Sequence, residues 1–209
     1  MDFFDLHCDT LTECMDDGDS LLKNKRDIDF ERGKIFGRWN QVFAVFVPDS
    51  MDDSLVESYF DSACDFYWSE LKKKGNFFPI LSAEDVRGHS RGVMLAMESS
   101  RGVGSLERLE KLYERGLRLI TLTWNAKNRA AGGWQDGSGL SDWGRELVAK
   151  MEKLGIVIDV SHLSDRGFYD LCEFTDAPFI ASHSDARAVH NELRSLTDDQ
   201  IKIIIERGG

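Results

Sequence analysis

The spacing of His7 and Asp9, in the segment FFDLHCDT, is the first sign of a metal site in this sequence. Successive side chains of a strand point to opposite faces, so these two would share one face while Cys8 points away. Neutral imidazole and ionised carboxylate are common ligands of zinc and similar divalent cations. Taken alone the pair is a weak signal, because histidine and aspartate also occur together at helix starts and on surfaces.

Three further candidate ligands stand at the ends of apolar segments. Glu98 follows GVMLAM, His162 follows GIVIDVS and His183 follows PFIAS. Each has an ordinary alternative explanation, either a carboxylate in a loop or a histidine that caps the next helix. Together with His7 and Asp9 they make five ligands, more than the three of a usual catalytic zinc site. Five ligands suit two metal ions that share a bridging carboxylate and a bridging water.

The elements that would position these ligands follow from the hydrophobic pattern. Apolar segments of strand length alternate with segments of helical period. The predicted strands are FFDL, NQVFAVFV, GVMLAM, LRLITLT, GIVIDVS and PFIAS. Helix starts are predicted at a capping box Ser54–Glu57, at Ser105, Ser141 and Ser164, and at a capping box Thr197–Gln200, with stops at Gly75, Gly116 and Gly155. The longest predicted loop runs from Asn125 to Leu140.

A regular alternation of strands and helices predicts an α/β fold with a parallel sheet and right-handed crossovers. We predict a single domain over residues 1–209, a (β/α)8 TIM-type barrel of which about six βα units are present. In such barrels the active site lies at the carboxyl ends of the strands. The five candidate ligands fall at predicted strand ends, which is why we expect them to converge. Trp124 and Asn125 end the fourth predicted strand.

Composition excludes several classes of partner. The formal net charge is −11, which argues against nucleic acid because phosphate binding needs clustered lysine and arginine. The apolar runs are too short to span a membrane, and the N-terminus lacks the pattern of a secretory signal. The four cysteines follow no disulfide or zinc-knuckle spacing and are predicted to be reduced. The predicted location is therefore the cytoplasm.

The segments DLHCDT, GVMLAMES, DVSHLS and PFIASHSDARAVHNELRSLTDDQI resemble the membrane (renal-type) dipeptidases, peptidase family M19, and the similarity runs along nearly the whole chain. The resemblance implies a (β/α)8 barrel that holds two zinc ions. His7 and Asp9 would bind one ion, His162 and His183 the other, and Glu98 would bridge them. It also implies hydrolysis of the amide bond of dipeptides by a hydroxide that bridges the metals, with C-terminal D-residues accepted.

The resemblance also implies how substrate is bound. Arg194, in ELRSLTDD, falls where the family has an arginine that pairs with the free carboxylate of the dipeptide. Trp124 falls where the better-known animal enzymes have a histidine that helps to bind the substrate carbonyl. Either Trp124 or Asn125 would orient the substrate instead, or Trp124 would only wall the pocket. The predicted partners are small dipeptide substrates. A homodimer is left open as an alternative to a monomer.

The last residues, IIIERGG, resemble a helix and a turn that lead into a seventh strand. A barrel of this type usually has about 250 residues. The catalytic aspartate of the family comes from the eighth strand and has no counterpart here, so no proton-transfer residue is assigned. We expect a fragment or shortened form of a longer protein, or completion of the barrel by another polypeptide. Two other functions stay open, namely another binuclear metal amidohydrolase of the barrel type and a truncated remnant that binds metal without turnover.

Overall fold

The computed structural model describes residues 2–73 and 77–209. Its strands are β1 Asp2–Asp5, β2 Arg38–Phe46, β3 Phe78–Pro79, β4 Arg91–Glu98, β5 Leu117–Thr121 and β6 Val157–Asp159. Its α-helices are α1 Thr10–Asp17, α2 Phe30–Gly33, α3 Asp53–Leu71, α4 Ala83–Gly88, α5 Leu106–Glu114, α6 Asp142–Leu154, α7 Asp165–Phe174 and α8 Asp198–Glu206. A short 3-10 helix spans Ser100–Val103.

The strands form one parallel sheet in the order β1-β2-β4-β5-β6, with β3 paired to the start of β4. The register aligns one level of residues across the sheet, because Phe46 pairs with Glu98, Glu98 with Thr121, Thr121 with Asp159, and Asp159 with Ile180. This level lies at the carboxyl ends of the strands. The loops that follow therefore leave the sheet along one edge, as the predicted α/β fold requires.

The prediction of a sixth strand at PFIAS is wrong. This segment makes only an isolated parallel bridge, between Ile180 and Asp159. Ile180 receives a hydrogen bond from the backbone N–H of Val160 (2.8 Å) and donates one to Ile158 (2.9 Å). The ladder stops there because the backbone N–H of Ser182 donates to the side chain of Asp159 instead (3.0 Å). Pro178 lacks an N–H and cannot extend the ladder in the other direction.

The predicted helix starts at Ser105, Ser141 and Ser164 are confirmed as N-caps, and Thr197 with Gln200 forms the predicted capping box. The predicted capping box at Ser54 is wrong. Asp52 caps α3 instead, since its Oδ1 accepts from the backbone N–H and the hydroxyl of Ser54 (2.9 and 2.6 Å). The predicted stop at Gly75 lies outside the described residues. None of the helices in residues 2–73 and 77–209 combines the length and apolar character needed to cross a lipid bilayer.

Alternate residues of the central strands pack on two sides. Phe43, Leu95 and Ile120 belong to a large core shared with the helices. Val42, Ala96 and Leu119 form a separate small cluster on the other face. This period of two residues is the strand geometry that sends polar residues at strand ends to a defined face. The rigid sheet thus positions the side chains at its carboxyl edge.

Candidate metal centre

The candidate ligands all leave the carboxyl edge of the sheet. Glu98 is the last residue of β4, and His7 lies two residues beyond the end of β1. His162 lies three residues beyond β6, and His183 three residues beyond the bridge at Ile180. Separate strands therefore carry each group to the same edge.

The buried carboxylate of Glu98 is the centre of the cluster. Its Oε1 lies 3.0 Å from Nε2 of His162 and 3.2 Å from Nε2 of His183. Its Oε2 lies 3.7 Å from Nε2 of His7. Glu98 is 3% exposed, so its charge is shielded from bulk water and depends on these neighbours. The structure thus brings the predicted bridging carboxylate together with all three predicted histidines.

His7 and Asp9 form the other side of the cluster. Nε2 of His7 lies 3.4 Å from Oδ1 of Asp9, and the His7 ring stacks on the His183 ring with centroids 3.7 Å apart. Within the described residues, Oδ1 of Asp9 is buried and makes no hydrogen bond of good geometry, although the Asp9 side chain as a whole is 46% exposed. A buried carboxylate oxygen without a partner is unfavourable unless a cation or water contacts it.

The spacing of these atoms fits a metal site. One ligand atom each from His7, Glu98 and His183 lies within 4.8 Å of the others. Ligands about 2.1 Å from a tetrahedral zinc ion are about 3.4 Å from one another. Nitrogen and carboxylate oxygen are the ligands that zinc takes. Both the donor set and the orphaned oxygen of Asp9 are therefore compatible with divalent cations.

The backbone is strained at two positions in this centre. Ser99 (φ 78°) and His162 (φ 68°) are the non-glycine residues of the described ranges with positive φ. This region is uncommon for L-residues and persists only where the surroundings hold it. Ser99 follows Glu98 directly, so both deviations orient members of the cluster.

The charges of the centre shift its pKa values in opposite directions. Burial alone would raise the pKa of Glu98, but His162, His183 and His7 beside its carboxylate outweigh burial and hold that pKa far below its usual value. Burial alone would lower the pKa of His7, but Asp9 and Glu98 outweigh it and raise that pKa. Burial dominates at His162 and lowers its pKa, which favours the neutral imidazole that a metal ion needs.

The two residues that end the fourth predicted strand have different surroundings. The Trp124 ring packs edge-on against Phe46, with centroids 4.9 Å apart, and lies 6.2 Å from the His162 ring. Oδ1 of Asn125 contacts Nδ1 of His162 at 2.9 Å and accepts from the indole N–H of Trp134 at 2.6 Å. A substrate contact by either Trp124 or Asn125 stays a prediction.

Arg194 lies beside the cluster. Its guanidinium donates to the hydroxyl of Ser184 (2.8 Å) and to the backbone carbonyl of His183 (2.7 Å). Trp134, His183 and Arg194 share the wall of an open cavity of about 360 Å³. A guanidinium has five N–H donors, and these bonds use two of them. The remaining donors are the chemical basis for binding an anion in this cavity, whose lining also includes the carboxylates of Asp185 and Glu192.

Sequence reasoning missed Trp134, Ser182 and Arg187. Trp134 lies in the glycine-rich loop and carries no sequence signal for a role at His162. Ser182 connects His183 to Asp159, a fully buried carboxylate, through bonds of 2.7 and 2.6 Å. A carboxylate within a predicted strand was the available signal for Ser182, because such a group must have polar partners.

Arg187 fixes the segment that carries His183 and Arg194. Its guanidinium makes a bidentate ion pair with Asp165 (2.8 and 2.7 Å) and donates to the carbonyl of Ser195 (2.9 Å). The hydrogen bonds from Arg187 lower the pKa of Asp165. The Arg187 side chain thus connects the backbone at Ser195 to the start of α7 at Asp165.

We expect Arg187→Met to loosen residues 188–196, because it removes the bidentate pair and the carbonyl contact together. Amide exchange in this segment should speed up about fivefold, which corresponds to about 1 kcal/mol. Hydrogen–deuterium exchange with mass spectrometry measures this. Arg166→Met is the control, since the Arg166 side chain is 74% exposed and lies 4.0 Å from Asp170. Equal exchange in the two variants would show that Arg187 does not hold the segment.

Comparison with known proteins identifies the family. A family model described as "Membrane dipeptidase (Peptidase family M19)" matches residues 1–209. The chain belongs to this family.

Solved structures of M19 dipeptidases share the fold. A metallo peptidase from Rhodobacter sphaeroides, liganded with a phosphinate mimic of the dipeptide L-Ala-D-Ala, is 25% identical with a TM-score of 0.82, over 100% of this chain and 72% of that one. Dipeptidase AC, a metallo peptidase of family M19, is 24% identical with a TM-score of 0.84, over 99% and 71% of the two chains. The second likeness shows the fold alone.

A curated relative is closer in sequence. It is an uncharacterized protein in the pqqA 5' region of Klebsiella pneumoniae, 32% identical over 142 residues, or 62% of this chain and 52% of the relative. The chain spans about half the length of the curated relatives it matches. The activity and substrates of the whole M19 protein are therefore matters of proposal.

Proposed function

We propose that this chain is a zinc-dependent dipeptidase that hydrolyses the amide bond of dipeptides, including those with a C-terminal D-residue. The observation that carries the proposal is the convergence of His7, His162 and His183 on Glu98, at 3.0–3.7 Å. The phosphinate mimic of L-Ala-D-Ala held by the Rhodobacter sphaeroides protein supports the substrate class.

In this proposal each ligand has a defined role. His7 and Asp9 would hold one zinc ion, His162 and His183 would hold the other, and the Glu98 carboxylate would be shared by the two. Bound zinc would supply Lewis-acid polarisation of the scissile carbonyl and activation of water. The protein contributes ligand geometry, and the shielded position of Glu98 keeps water from competing for its carboxylate.

The cavity beside the cluster would take the dipeptide. Arg194 binds its free carboxylate through the N–H groups that Ser184 and His183 leave available. Either Trp124 or Asn125 orients the substrate, or Trp124 only forms part of the pocket wall. The group that transfers the proton is not assigned to any residue of this chain.

The proposal also covers the barrel fold, the location and the oligomeric state. The five strands β1-β2-β4-β5-β6 and the bridged segment at Ile180 would correspond to six of the eight strands of a (β/α)8 barrel. The single domain over residues 1–209, the cytoplasmic location and the homodimer stay predictions.

Metal content and turnover test the proposed function together. We expect dialysis against a chelator to abolish hydrolysis of Gly–D-Ala, and added zinc to restore it at two ions per chain. Bound zinc is counted by atomic emission after gel filtration, and released amino acids are counted by chromatography.

Each other outcome would contradict the proposal in its own way. Two zinc ions without turnover would favour the non-catalytic remnant. Hydrolysis of another amide or a lactam, but of no dipeptide, would favour a different amidohydrolase. Turnover that survives complete metal removal would exclude the metal mechanism.

A further inference from the structure

The second ring nitrogen of two histidines in the centre is held by a neighbouring side chain. Nδ1 of His162 lies 2.9 Å from Oδ1 of Asn125, and Nδ1 of His183 lies 2.7 Å from Oγ of Ser182. A neutral imidazole carries its hydrogen on only one ring nitrogen. The chemistry of these neighbours therefore decides which nitrogen is left with a lone pair.

Trp134 settles the tautomer at His162. The indole N–H of Trp134 can only donate, and it lies 2.6 Å from Oδ1 of Asn125. The atom of Asn125 at this position must be the amide oxygen, because the amide NH2 would place one donor against the indole N–H, which is another donor. The same oxygen faces Nδ1 of His162 and can only accept. Nδ1 of His162 thus carries the hydrogen, and Nε2 presents its lone pair to the centre.

Asp159 settles the tautomer at His183. Its Oδ1 accepts from the backbone N–H groups of Ser161 and Ser182 (both 3.0 Å), and its Oδ2 contacts the hydroxyls of Thr121 (2.7 Å) and Ser182 (2.6 Å). A carboxylate so placed is an acceptor, so the one hydroxyl hydrogen of Ser182 goes to Asp159. The oxygen of Ser182 is then left to accept from Nδ1 of His183.

Both rings therefore turn an unprotonated Nε2 toward the same point. Nε2 of His162 and Nε2 of His183 lie 2.9 Å apart, and Oε1 of Glu98 is 3.0 and 3.2 Å from them. Three atoms with lone pairs at such distances repel one another unless a positive charge lies between them. The pairs at Nδ1 thus prepare the centre for a cation.

We infer that the pairs Trp134–Asn125 and Asp159–Ser182 are positioning pairs, which fix the tautomers of His162 and His183 so that both Nε2 atoms bind a divalent cation. The inference rests on the metal site of the proposed function. It gives a role to the buried carboxylate of Asp159 and to the indole of Trp134, neither of which is a predicted metal ligand. Partners of this kind are known to govern metal affinity by about 10- to 100-fold.

Trp134→Phe tests the first pair. The variant keeps an aromatic ring but removes the N–H, so the amide of Asn125 can rotate and offer its NH2 group to Nδ1 of His162. We expect zinc affinity, measured by competition with a chelator of known strength, to fall about 10- to 100-fold. Adding Asn125→Asp should restore affinity, because a carboxylate presents an oxygen in either orientation.

A matched control separates this effect from the general loss of an indole bond. Trp68 lies on helix α3, and its indole N–H donates to the backbone carbonyl of Arg115 at 2.7 Å. Trp68→Phe removes the same kind of bond and should leave zinc affinity unchanged. An equal loss in both variants would overturn the inference.

Heteronuclear NMR of the ring nitrogens provides a readout that needs neither metal nor turnover. In metal-free wild-type protein, His162 and His183 should show Nδ1–H signatures. Trp134→Phe should move His162 toward the Nε2–H form, and Asn125→Asp should reverse that change. Ser182→Ala should move His183 in the same way, whereas Ser182→Thr keeps the hydroxyl and should not.

Failure of this inference can be told apart from failure of the proposed function. If wild-type protein binds zinc and the Trp134 and Ser182 variants change neither affinity nor tautomer, the positioning pairs are wrong while the metal site stands. If wild-type protein binds no zinc, the metal site is wrong. In that case Nδ1–H signatures in the metal-free protein would still support the tautomer assignment, and Nε2–H signatures would overturn it.

Discussion

Glu98→Gln is expected to empty both metal positions at once. The Glu98 carboxylate reaches His162 and His183 through one oxygen and His7 through the other. Glutamine has nearly the same shape, but it is neutral and offers one oxygen instead of two, so it can neither bridge two cations nor balance their charge. Bound zinc should fall from two ions to near zero per chain, and dipeptide hydrolysis should fall at least about 100-fold, equivalent to about 2.7 kcal/mol of transition-state stabilisation.

Glu70→Gln is the matched control for this variant. Glu70 is also buried, at 2% exposure, and its Oε2 accepts from the hydroxyl of Ser20 and the backbone N–H of Leu21 (2.6 and 2.9 Å). Its substitution should lower stability and leave the zinc content at two ions. Loss of only one zinc ion from Glu98→Gln would rule out the bridging role, and full zinc retention would rule out Glu98 as a ligand.

Arg194→Ala is expected to weaken dipeptide binding about 10- to 100-fold, or about 1.4–2.8 kcal/mol. The reason is the loss of charge-assisted hydrogen bonds to the free carboxylate of the ligand. Arg194→Lys should lie between wild type and Ala, since an ammonium keeps the charge but lacks the planar fork. Calorimetry with the phosphinate mimic of L-Ala-D-Ala on zinc-loaded protein measures these affinities.

The same ligand with a C-terminal amide in place of the carboxylate tests whether Arg194 binds the carboxylate. Wild-type protein should prefer the free acid over the amide, and Arg194→Ala should bind the two alike. Arg166→Ala, at a side chain that is 74% exposed, should behave as wild type. Equal losses for acid and amide in Arg194→Ala would mean that Arg194 acts only by supporting Ser184 and the backbone of His183.

Much of the fold follows from local pattern, and its failures have local causes. The alternation of apolar segments and capped helices predicts the parallel sheet because each strand is covered by its helix. Asp52 and Ser54 are both good caps two residues apart, so sequence alone does not decide between them. PFIAS has the composition of a strand, but the competing acceptor Asp159 takes the N–H of Ser182 that would extend the ladder.

The convergence of the candidate ligands was predictable where polar side chains follow strand ends. His7, Glu98, His162 and His183 could be found because a polar side chain at the carboxyl edge of a parallel sheet is expected to be functional. The partners that orient them could not be found in this way. Trp134 comes from a loop with no period, and its bond to Asn125 depends on how that loop folds back.

The stacked rings of His7 and His183 have a consequence for the stability of the folded protein. These residues follow the first strand and the last bridge of the sheet, so two cations held at His7 and His183 and connected through Glu98 would crosslink its first and last strands. Ligand binding of this kind adds stability in proportion to the logarithm of free ligand, about 4.1 kcal/mol at 1,000 times the dissociation constant. The abundance of the folded protein would then follow the zinc supply of the cell.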